Sequence, residues 1–311
     1  MANAHDRLEP PDRLVRTLGS DPASGAAAQQ WLAALPGIAQ ECLARWELTP
    51  ERVQMPGGRT SMVVLVRQSD GTPAALKLTP PDGTAAREHA ALAHWDGRSA
   101  VRALRVDPEA GALLLERLHS DVSLRSLAEA KAQLEAAATL QRLWVPPPAE
   151  HPFTTVAGHT AAPADALRSY RGQPWAADAR AVLDEALDLR DGLVAAGGED
   201  SPALLHGEYH QGNVLAADRA PWLAIAPRPL VGERAYDLAW LVRDRADTLL
   251  AAPGAAAAAR RRVAKLAESL DVDAGRLRGW TLFRTAEAGA RLLSLGARGQ
   301  GELLLEFASL L

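Results

Sequence analysis

The hydrophobic pattern of the chain changes once, near residue 119, and this change limits the folds open to it. Before this point, short apolar runs are separated by turn residues such as Asp70-Gly71, a strong hairpin signal. After it, Ala- and Leu-rich segments with helical spacing prevail, apart from a β-rich stretch at 202–229. We therefore predict an α+β protein with a small β-rich N-terminal lobe (1–118) and a larger helical C-terminal lobe (119–311).

The spacing of apolar residues also predicts the individual elements. We expect a loose leader over 1–23, a helix over 24–48 interrupted near Pro36, and a helix over 83–95 with Thr84 as its N-cap. Five strands are predicted at 51–55, 60–68, 73–79, 100–107 and 111–118. In the second lobe, helices are predicted at 122–145, 163–172, 175–196 and over most of 235–311.

Composition excludes several classes of protein. The formal net charge of −4 provides no basic footprint for nucleic acid. Cys42 is the only cysteine, which rules out an intramolecular disulfide. The N-terminus lacks the apolar core of a secretory signal, and no apolar run is long enough to span a bilayer. We expect a cytoplasmic protein that binds neither nucleic acid nor membrane, and the sequence does not identify a protein partner.

One short stretch has the spacing of a kinase catalytic loop, H-R-D-x-x-x-x-N. His206, Glu208 and Asn213 stand at its first, third and last places, with Glu where the template has Asp. Earlier in the chain, Lys77 falls in the predicted third strand and Glu88 in the next helix, where kinases place their phosphate-binding lysine and its carboxylate partner. The order of these parts predicts a phosphotransferase ancestry. Present use of ATP is a separate question.

Longer stretches point to a narrower family. They are DGTPAALKL, LLLERL, LLHGEYHQGNVL, PWLAI and PLVGERAYDLAWLVRDR, in that order. With them the chain resembles the aminoglycoside phosphotransferase superfamily, and within it the streptomycin 6-phosphotransferase and hydroxyurea phosphotransferase family of actinobacteria. This resemblance implies a protein-kinase-like fold of two lobes and a role in bacterial secondary metabolism. It also implies ATP and magnesium as cofactors, if the family activity is retained, and a small metabolite or antibiotic as partner.

The resemblance assigns roles to individual residues. Lys77 matches the lysine that binds nucleotide phosphates and Glu88 its partner. Glu116 lies in LERL (115–118), the hinge whose backbone would hold adenine. In the second lobe, Asn213 matches a metal ligand. The remaining matches there are His206 and His210 in the loop and Asp237, which anchors the loop in the family.

Two positions depart from the family pattern. Glu208 replaces the Asp that faces the acceptor hydroxyl as base, and Ala226 replaces the Asp that binds magnesium. The extra methylene moves a carboxylate outward by about 1 Å, a displacement that costs on the order of 10²-fold in rate. Magnesium needs near-octahedral oxygen ligands, and neutral Asn213 alone holds it poorly. No metal site is therefore assigned, except through Asn213 if magnesium is retained.

The main interpretation is a degenerate kinase site, a pseudokinase that binds a small polar metabolite. Glu208, His206 and His210 are then candidates for acid/base chemistry other than phosphotransfer. Two alternatives stay open: an active ATP-dependent antibiotic O-phosphotransferase with an alcohol acceptor, and a non-catalytic binding scaffold. For the loop itself, Glu208 held inertly by Arg228 or Arg234, and a zinc site formed by the two histidines and Glu208, are further alternatives.

Overall fold

The computed structural model describes residues 8–19, 25–198 and 201–311. Its contacts divide into two compact units. The first ends at His119 and takes in Ala217–Pro221 as well, and the second comprises Ser120–Ala216 and Trp222–Leu311. Of the predicted leader, residues 1–7 and 20–23 lie outside the described residues.

The first unit is built on one antiparallel sheet, and its five predicted strands are confirmed. They are β1 (Thr49–Val53), β2 (Met62–Arg67), β3 (Pro73–Leu78), β4 (Ala103–Asp107) and β5 (Ala112–Glu116), in the spatial order β1-β2-β3-β5-β4. Lys77 lies on the central strand β3, where its register partners are Val63 on β2 and Leu113 on β5. The sheet therefore holds the Lys77 backbone on both sides.

Three helices accompany this sheet: α1 (Asp12–Gly19), α2 (Gly25–Arg45) and α3 (Thr84–Trp95). The prediction of a loose leader is wrong for Asp12–Gly19. Leu14 and Leu18, four residues apart on one helix face, are buried in the core that α2 forms with the sheet. The apolar stripe of this short helix outweighs the polar composition of the surrounding residues.

Two local predictions in this unit are also wrong. Helix α2 is not interrupted near Pro36, because its buried face continues on both sides of the proline through Leu35 and Ala39. The proline costs one backbone hydrogen bond there. Thr84 is not the N-cap of α3, since Gly83 holds that position in the left-handed region at a φ of 83°. The Thr84 amide donates to Oδ1 of Asp82 at 2.9 Å.

The second unit is mainly helical, as predicted. Its helices are α4 (Glu129–Leu143), α5 (Val156–Tyr170), α6 (Arg180–Ala195), α7 (Arg234–Arg243), α8 (Ala246–Leu250), α9 (Ala255–Leu270), α10 (Ala274–Ser294) and α11 (Arg298–Ser309). The helix predicted at 122–145 begins late, because its first residues form strand β6 (His119–Ser123) and a turn of 3₁₀-helix. Among the helices of the described ranges, none has the length and apolar character needed to cross a bilayer.

Two small sheets frame the predicted catalytic loop. Their strands are β6, β7 (Thr154–Thr155), β8 (Ala203–Leu205), β9 (Val214–Ala216), β10 (Trp222–Ala224) and β11 (Leu230–Gly232), in the orders β10-β9-β6 and β7-β11-β8. The loop 206–213 leaves β8 and enters β9, while the segment 225–229 leaves β10 and enters β11. Because β8 pairs with β11 and β9 pairs with β10, both ends of these two segments are held side by side.

Candidate functional site

In the first unit, Lys77 and Glu88 form a buried ion pair. Nζ of Lys77 donates to both carboxylate oxygens of Glu88, at 2.8 and 2.5 Å. The two side chains are 9% and 1% exposed. Removing one partner of such a pair leaves an uncompensated buried charge and costs about 3–5 kcal/mol. The pair gives Lys77 one defined orientation.

The Glu116 side chain is bound within the first unit. Its carboxylate accepts from the Arg102 amide at 2.7 Å and from Nε of Arg219 at 2.9 Å. The same Arg219 guanidinium donates to the carbonyl oxygens of Gly97 at 2.7 Å and Ala100 at 2.6 Å. Because the Glu116 carboxylate already binds these two donors, the prediction that this segment holds adenine concerns only the backbone of the strand. It stays a prediction.

In the second unit, Asp237 holds the start of the loop. Its two carboxylate oxygens accept from the amides of His206 and Gly207, each at 2.8 Å, and Trp144 Nε1 lies 3.4 Å from Oδ2. Burial raises the pKa of Asp237, while the two amide bonds act in the opposite direction. A carboxylate that binds two successive amides sets the direction in which the chain leaves β8.

Gly207 is required by a close approach of two backbones. Its φ is 79°, and a Cβ built on it would lie 1.9 Å from the carbonyl oxygen of Arg228. The carbonyl oxygen of Gly207 accepts from Nε1 of Trp240 at 3.1 Å and from Nη2 of Arg284 at 2.7 Å. Trp240 and Arg284 therefore help to position the loop. Motif spacing missed both, because they lie on α7 and α10, far along the chain.

Glu208 forms an ion pair with Arg228. Its Oε2 lies 2.7 Å from Nε of Arg228, and the two side chains are 33% and 55% exposed. Of the two arginines that the sequence offered as partners, the structure selects Arg228. Arg234 instead donates to the carbonyl oxygen of Asp271 at 3.0 Å. The backbone makes this pairing local, since the Arg228 amide donates to the carbonyl oxygen of His206 at 2.8 Å.

The two loop histidines have different surroundings. His206 is fully buried, and its Nε2 lies 3.0 Å from the carbonyl oxygen of Ile225. Nδ1 of His210 accepts from the Gly212 amide at 3.1 Å. Burial lowers the pKa of His210, although the carboxylates of Asp244 and Glu208 act in the opposite direction. The neutral His210 ring therefore carries its proton on Nε2, since Nδ1 is an acceptor.

The residues present do not fit a magnesium ion well. Nδ2 of Asn213 donates to the Glu208 carbonyl oxygen at 3.0 Å, and the Ile225 amide donates to the Asn213 carbonyl oxygen at 2.9 Å. Ala226 supplies no oxygen from its side chain. Its backbone lies in the left-handed region, with a φ of 54°. Within the described parts of the chain, no three His, Cys, Asp or Glu side chains are grouped as metal ligands, and this also argues against the zinc alternative.

Residues 45–296 match the family model described as aminoglycoside/hydroxyurea antibiotic resistance kinase. The chain is 36% identical to a streptomycin 6-kinase of Streptomyces glaucescens over 263 residues, 84% of each protein. It is 39% identical to a hydroxyurea phosphotransferase of Kitasatospora aureofaciens over 225 residues, 69% of this chain and 62% of that one.

A solved structure shows the same fold. It is a ternary complex of a thermostable mutant of aminoglycoside phosphotransferase APH(4)-Ia with ADP and hygromycin B. The TM-score is 0.58 at 16% identity, and the match covers 87% of this chain and 96% of that one. The predicted kinase-like α+β fold, with a β-sheet N-terminal unit and a helical C-terminal unit, is confirmed.

Proposed function

Because the chain belongs to the aminoglycoside/hydroxyurea antibiotic resistance kinase family, we propose that it is a small-molecule-binding member that has lost ordinary magnesium-ATP phosphotransfer. The observation that carries this proposal is the state of the two altered positions. Glu208 is paired with Arg228 at 2.7 Å, and Ala226 has no side-chain oxygen. In the family pattern, position 208 supplies the base and position 226 supplies a metal ligand.

The Glu208–Arg228 pair engages one of the two carboxylate oxygens that a general base at this position would use. A base must lie within hydrogen-bond reach of the hydroxyl whose proton it accepts. Nε of Arg228 already lies within hydrogen-bond distance of Oε2 of Glu208. Proton transfer to this oxygen would require the Arg228 side chain to move first. The His210 ring does not replace Glu208 as a base through Nδ1, because this atom already accepts from the Gly212 amide.

Magnesium would neutralise the charge that develops on the transferred phosphoryl group. The ligand set for it is incomplete, with Asn213 neutral and no carboxylate at residue 226. Nucleotide phosphates have better support, because the buried Lys77–Glu88 pair keeps Lys77 oriented. We therefore propose that ATP binding, where it occurs, is weak and nearly independent of magnesium, and that the ligand of the second unit is a small polar metabolite.

An active antibiotic O-phosphotransferase is the second candidate. It is favoured by the intact ion pair of Lys77 with Glu88 and by the activities in the names of the two relatives, streptomycin 6-kinase and hydroxyurea phosphotransferase. In that case Glu208 must leave Arg228 when the acceptor binds. Acid/base chemistry of another kind, with Glu208, His206 or His210 as the reacting group, and a purely binding role both remain within the main proposal.

Calorimetry of ATP binding with and without magnesium separates the two candidates. The proposal expects weak binding that changes little when magnesium is added. Tight, strictly magnesium-dependent binding would contradict it and favour the active kinase. The matched control is Lys77→Met combined with Glu88→Gln, which removes both charges of the buried pair together. This double variant should lose the ATP signal while keeping the fold.

Restoring the missing carboxylates tests the cause. In Glu208→Asp combined with Ala226→Asp, the shorter acid no longer spans to Arg228 and a metal ligand returns. We expect magnesium-dependent ATP turnover to rise at least tenfold (~1.4 kcal/mol) above that of the unaltered chain, measured with streptomycin as acceptor. Each single variant serves as a control. Equal turnover in all four proteins would mean that these two positions are not the reason for the loss.

A further inference from the structure

Two consecutive residues, Asp218 and Arg219, bind the segment of the chain that follows β5. They lie at the tip of the hairpin between β9 and β10, and this tip belongs to the first unit, as does the chain up to His119. Because β9 also pairs with β6, which begins at His119, the sheet order β10-β9-β6 brings the tip to this place. We call Asp218 and Arg219 the clasp.

Arg219 donates through all three nitrogens of its guanidinium. Nε lies 3.0 and 2.9 Å from the two carboxylate oxygens of Glu116, and Nη2 lies 2.6 Å from Oε1. Nη1 donates to the carbonyl oxygen of Gly97 at 2.7 Å, and Nη2 donates to that of Ala100 at 2.6 Å. The side chains of Arg219 and Glu116 are 27% and 20% exposed. Such a bidentate pair fixes geometry as well as adding stability.

Asp218 binds the other end of the same segment. Its Oδ1 accepts from Nε2 of His119 at 2.8 Å. Both side chains are largely exposed to water, so this contact contributes less than that of Arg219. The clasp therefore holds Glu116 firmly and His119 more weakly, with only Arg117 and Leu118 between them.

Arg117 and Leu118 have backbone groups that the sheets do not use. They lie between the end of β5 and the start of β6, outside both strands. The Arg117 side chain turns back onto the first sheet, where it donates to the carbonyl oxygens of Ala74 at 2.9 Å and Val66 at 2.7 Å. A flat heterocycle with a donor and an acceptor on one edge suits such a backbone. This agrees with the prediction that the segment holds adenine.

The clasp also reaches the helix that orients Lys77. Gly97 and Ala100, whose carbonyl oxygens bind Arg219, lie in the connection between α3 and β4. Helix α3 carries Glu88, the partner of Lys77. The Arg219 side chain thus joins the segment predicted to hold adenine to the connection that follows the helix of the phosphate-binding pair.

We propose that Arg219 is a positioning residue for the adenine end of a bound nucleotide, and that Asp218 assists it. This inference rests on the proposed function, in which Lys77 still binds nucleotide phosphates. Arg219 acts through Glu116, by keeping the backbone of Arg117 and Leu118 in one conformation. An ordered backbone loses less conformational entropy when it binds a ligand. Motif spacing missed Arg219, because it lies 103 positions from Glu116.

The test measures the binding of ATP and of inorganic tripolyphosphate to the full chain by calorimetry. In Arg219→Gln the dissociation constant of ATP should increase roughly tenfold, the effect of about one lost hydrogen bond. The constant of tripolyphosphate, which has no adenine, should stay unchanged, whereas a general loosening of the unit would weaken both. The matched control is Arg45→Gln, which breaks the pair of Arg45 with Asp107 between α2 and β4 and should change neither constant.

Glu116→Gln is the second variant, and it carries the test if Arg219→Gln does not fold. It keeps the shape of the side chain and removes its charge, so it should weaken ATP binding in the same direction. Urea unfolding shows that each variant is folded. The double variant Lys77→Met with Glu88→Gln should lose tripolyphosphate, which assigns that probe to Lys77.

Three results would overturn the inference. They are ATP binding in the folded clasp variants as tight as in the unaltered chain, equal weakening of ATP and tripolyphosphate, and an unaltered chain that binds ATP no more tightly than tripolyphosphate. Each titration is run with magnesium and without it. Strictly magnesium-dependent binding would contradict the proposed function, whereas the ratio of the two dissociation constants tests Arg219 in either series, so the two failures are distinguishable.

Discussion

Glu208 and Arg228 form an ion pair of 2.7 Å between the loop that follows β8 and the segment that precedes β11. Their backbones are already adjacent, since the Arg228 amide donates to the His206 carbonyl oxygen at 2.8 Å. The longer carboxylate of Glu therefore has a cationic partner within reach, at the place where the family pattern has a catalytic Asp. This pair links the two altered segments of the site.

A double-mutant cycle should measure this pair directly. With Glu208→Gln and Arg228→Gln, we expect a coupling free energy of about 0.2–1 kcal/mol, because both side chains are partly exposed to water. Urea unfolding of the four proteins gives the value. The surface pair Arg171–Asp184, at 2.9 Å in the same unit, is the matched control. A coupling of zero at Glu208 would mean that the pair does not persist in solution.

Gly207→Ala should be among the most damaging substitutions in the second unit. The new Cβ would overlap the Arg228 carbonyl oxygen and force a residue other than glycine into a φ of 79°. We expect a loss of about 2–5 kcal/mol in the free energy of unfolding. Gly192→Ala on α6, where a Cβ meets nothing within 4 Å, should be neutral or stabilising. Equal stability of the two variants would refute the close approach.

Ala226→Gly should stabilise the protein, because Ala226 occupies the left-handed region at a φ of 54°. Relief of this strain, reduced by the greater freedom of glycine in the unfolded chain, leaves a gain of up to about 1 kcal/mol. Ala224→Gly on the neighbouring strand β10 is the control and should lower stability, since it removes a buried methyl group. A loss at residue 226 would show that the alanine methyl group contributes more than its backbone strain.

Protonation of His210 should contribute to acid destabilisation. Its pKa in the folded chain lies below 6.5, the ordinary value of histidine, chiefly because of burial. Between these two values the unfolded chain binds the proton and the folded chain does not. Stability is therefore full above pH 6.5 and falls with decreasing pH until the folded pKa is reached, by at most about 1.4 kcal/mol per pH unit.

His210→Asn removes this titration and keeps an acceptor for the Gly212 amide. Urea unfolding between pH 7.5 and pH 5, at about half-unit steps, should give a flatter profile for the variant. The exposed His94→Asn on α3 is the control and should follow the unaltered chain. Parallel profiles for all three proteins would mean that His210 binds its proton equally well in the folded and unfolded states.

Some features were predictable because their signals are local. The five strands of the first unit follow from short apolar runs bounded by turn residues, and α3 follows from its helical spacing. The order strand, lysine, helix, glutamate was enough to predict the pairing of Lys77 with Glu88. The prediction failed where distant parts of the chain decide the structure, as at β6, whose last two residues were assigned to the predicted helix although the strand pairs with β9.

The sequence by itself determined the family, the α+β order of elements and the identity of the residues at positions 208 and 226, since each of these is a matter of residue type and spacing. Only the tertiary structure decided that Glu208 pairs with Arg228 and not Arg234. It alone also placed Arg284, which lies 77 positions from Gly207, on the carbonyl oxygen of that glycine. The physical reason is that ion pairs and close backbone approaches depend on how β8, β11, α7 and α10 pack, and residue spacing carries no record of that packing.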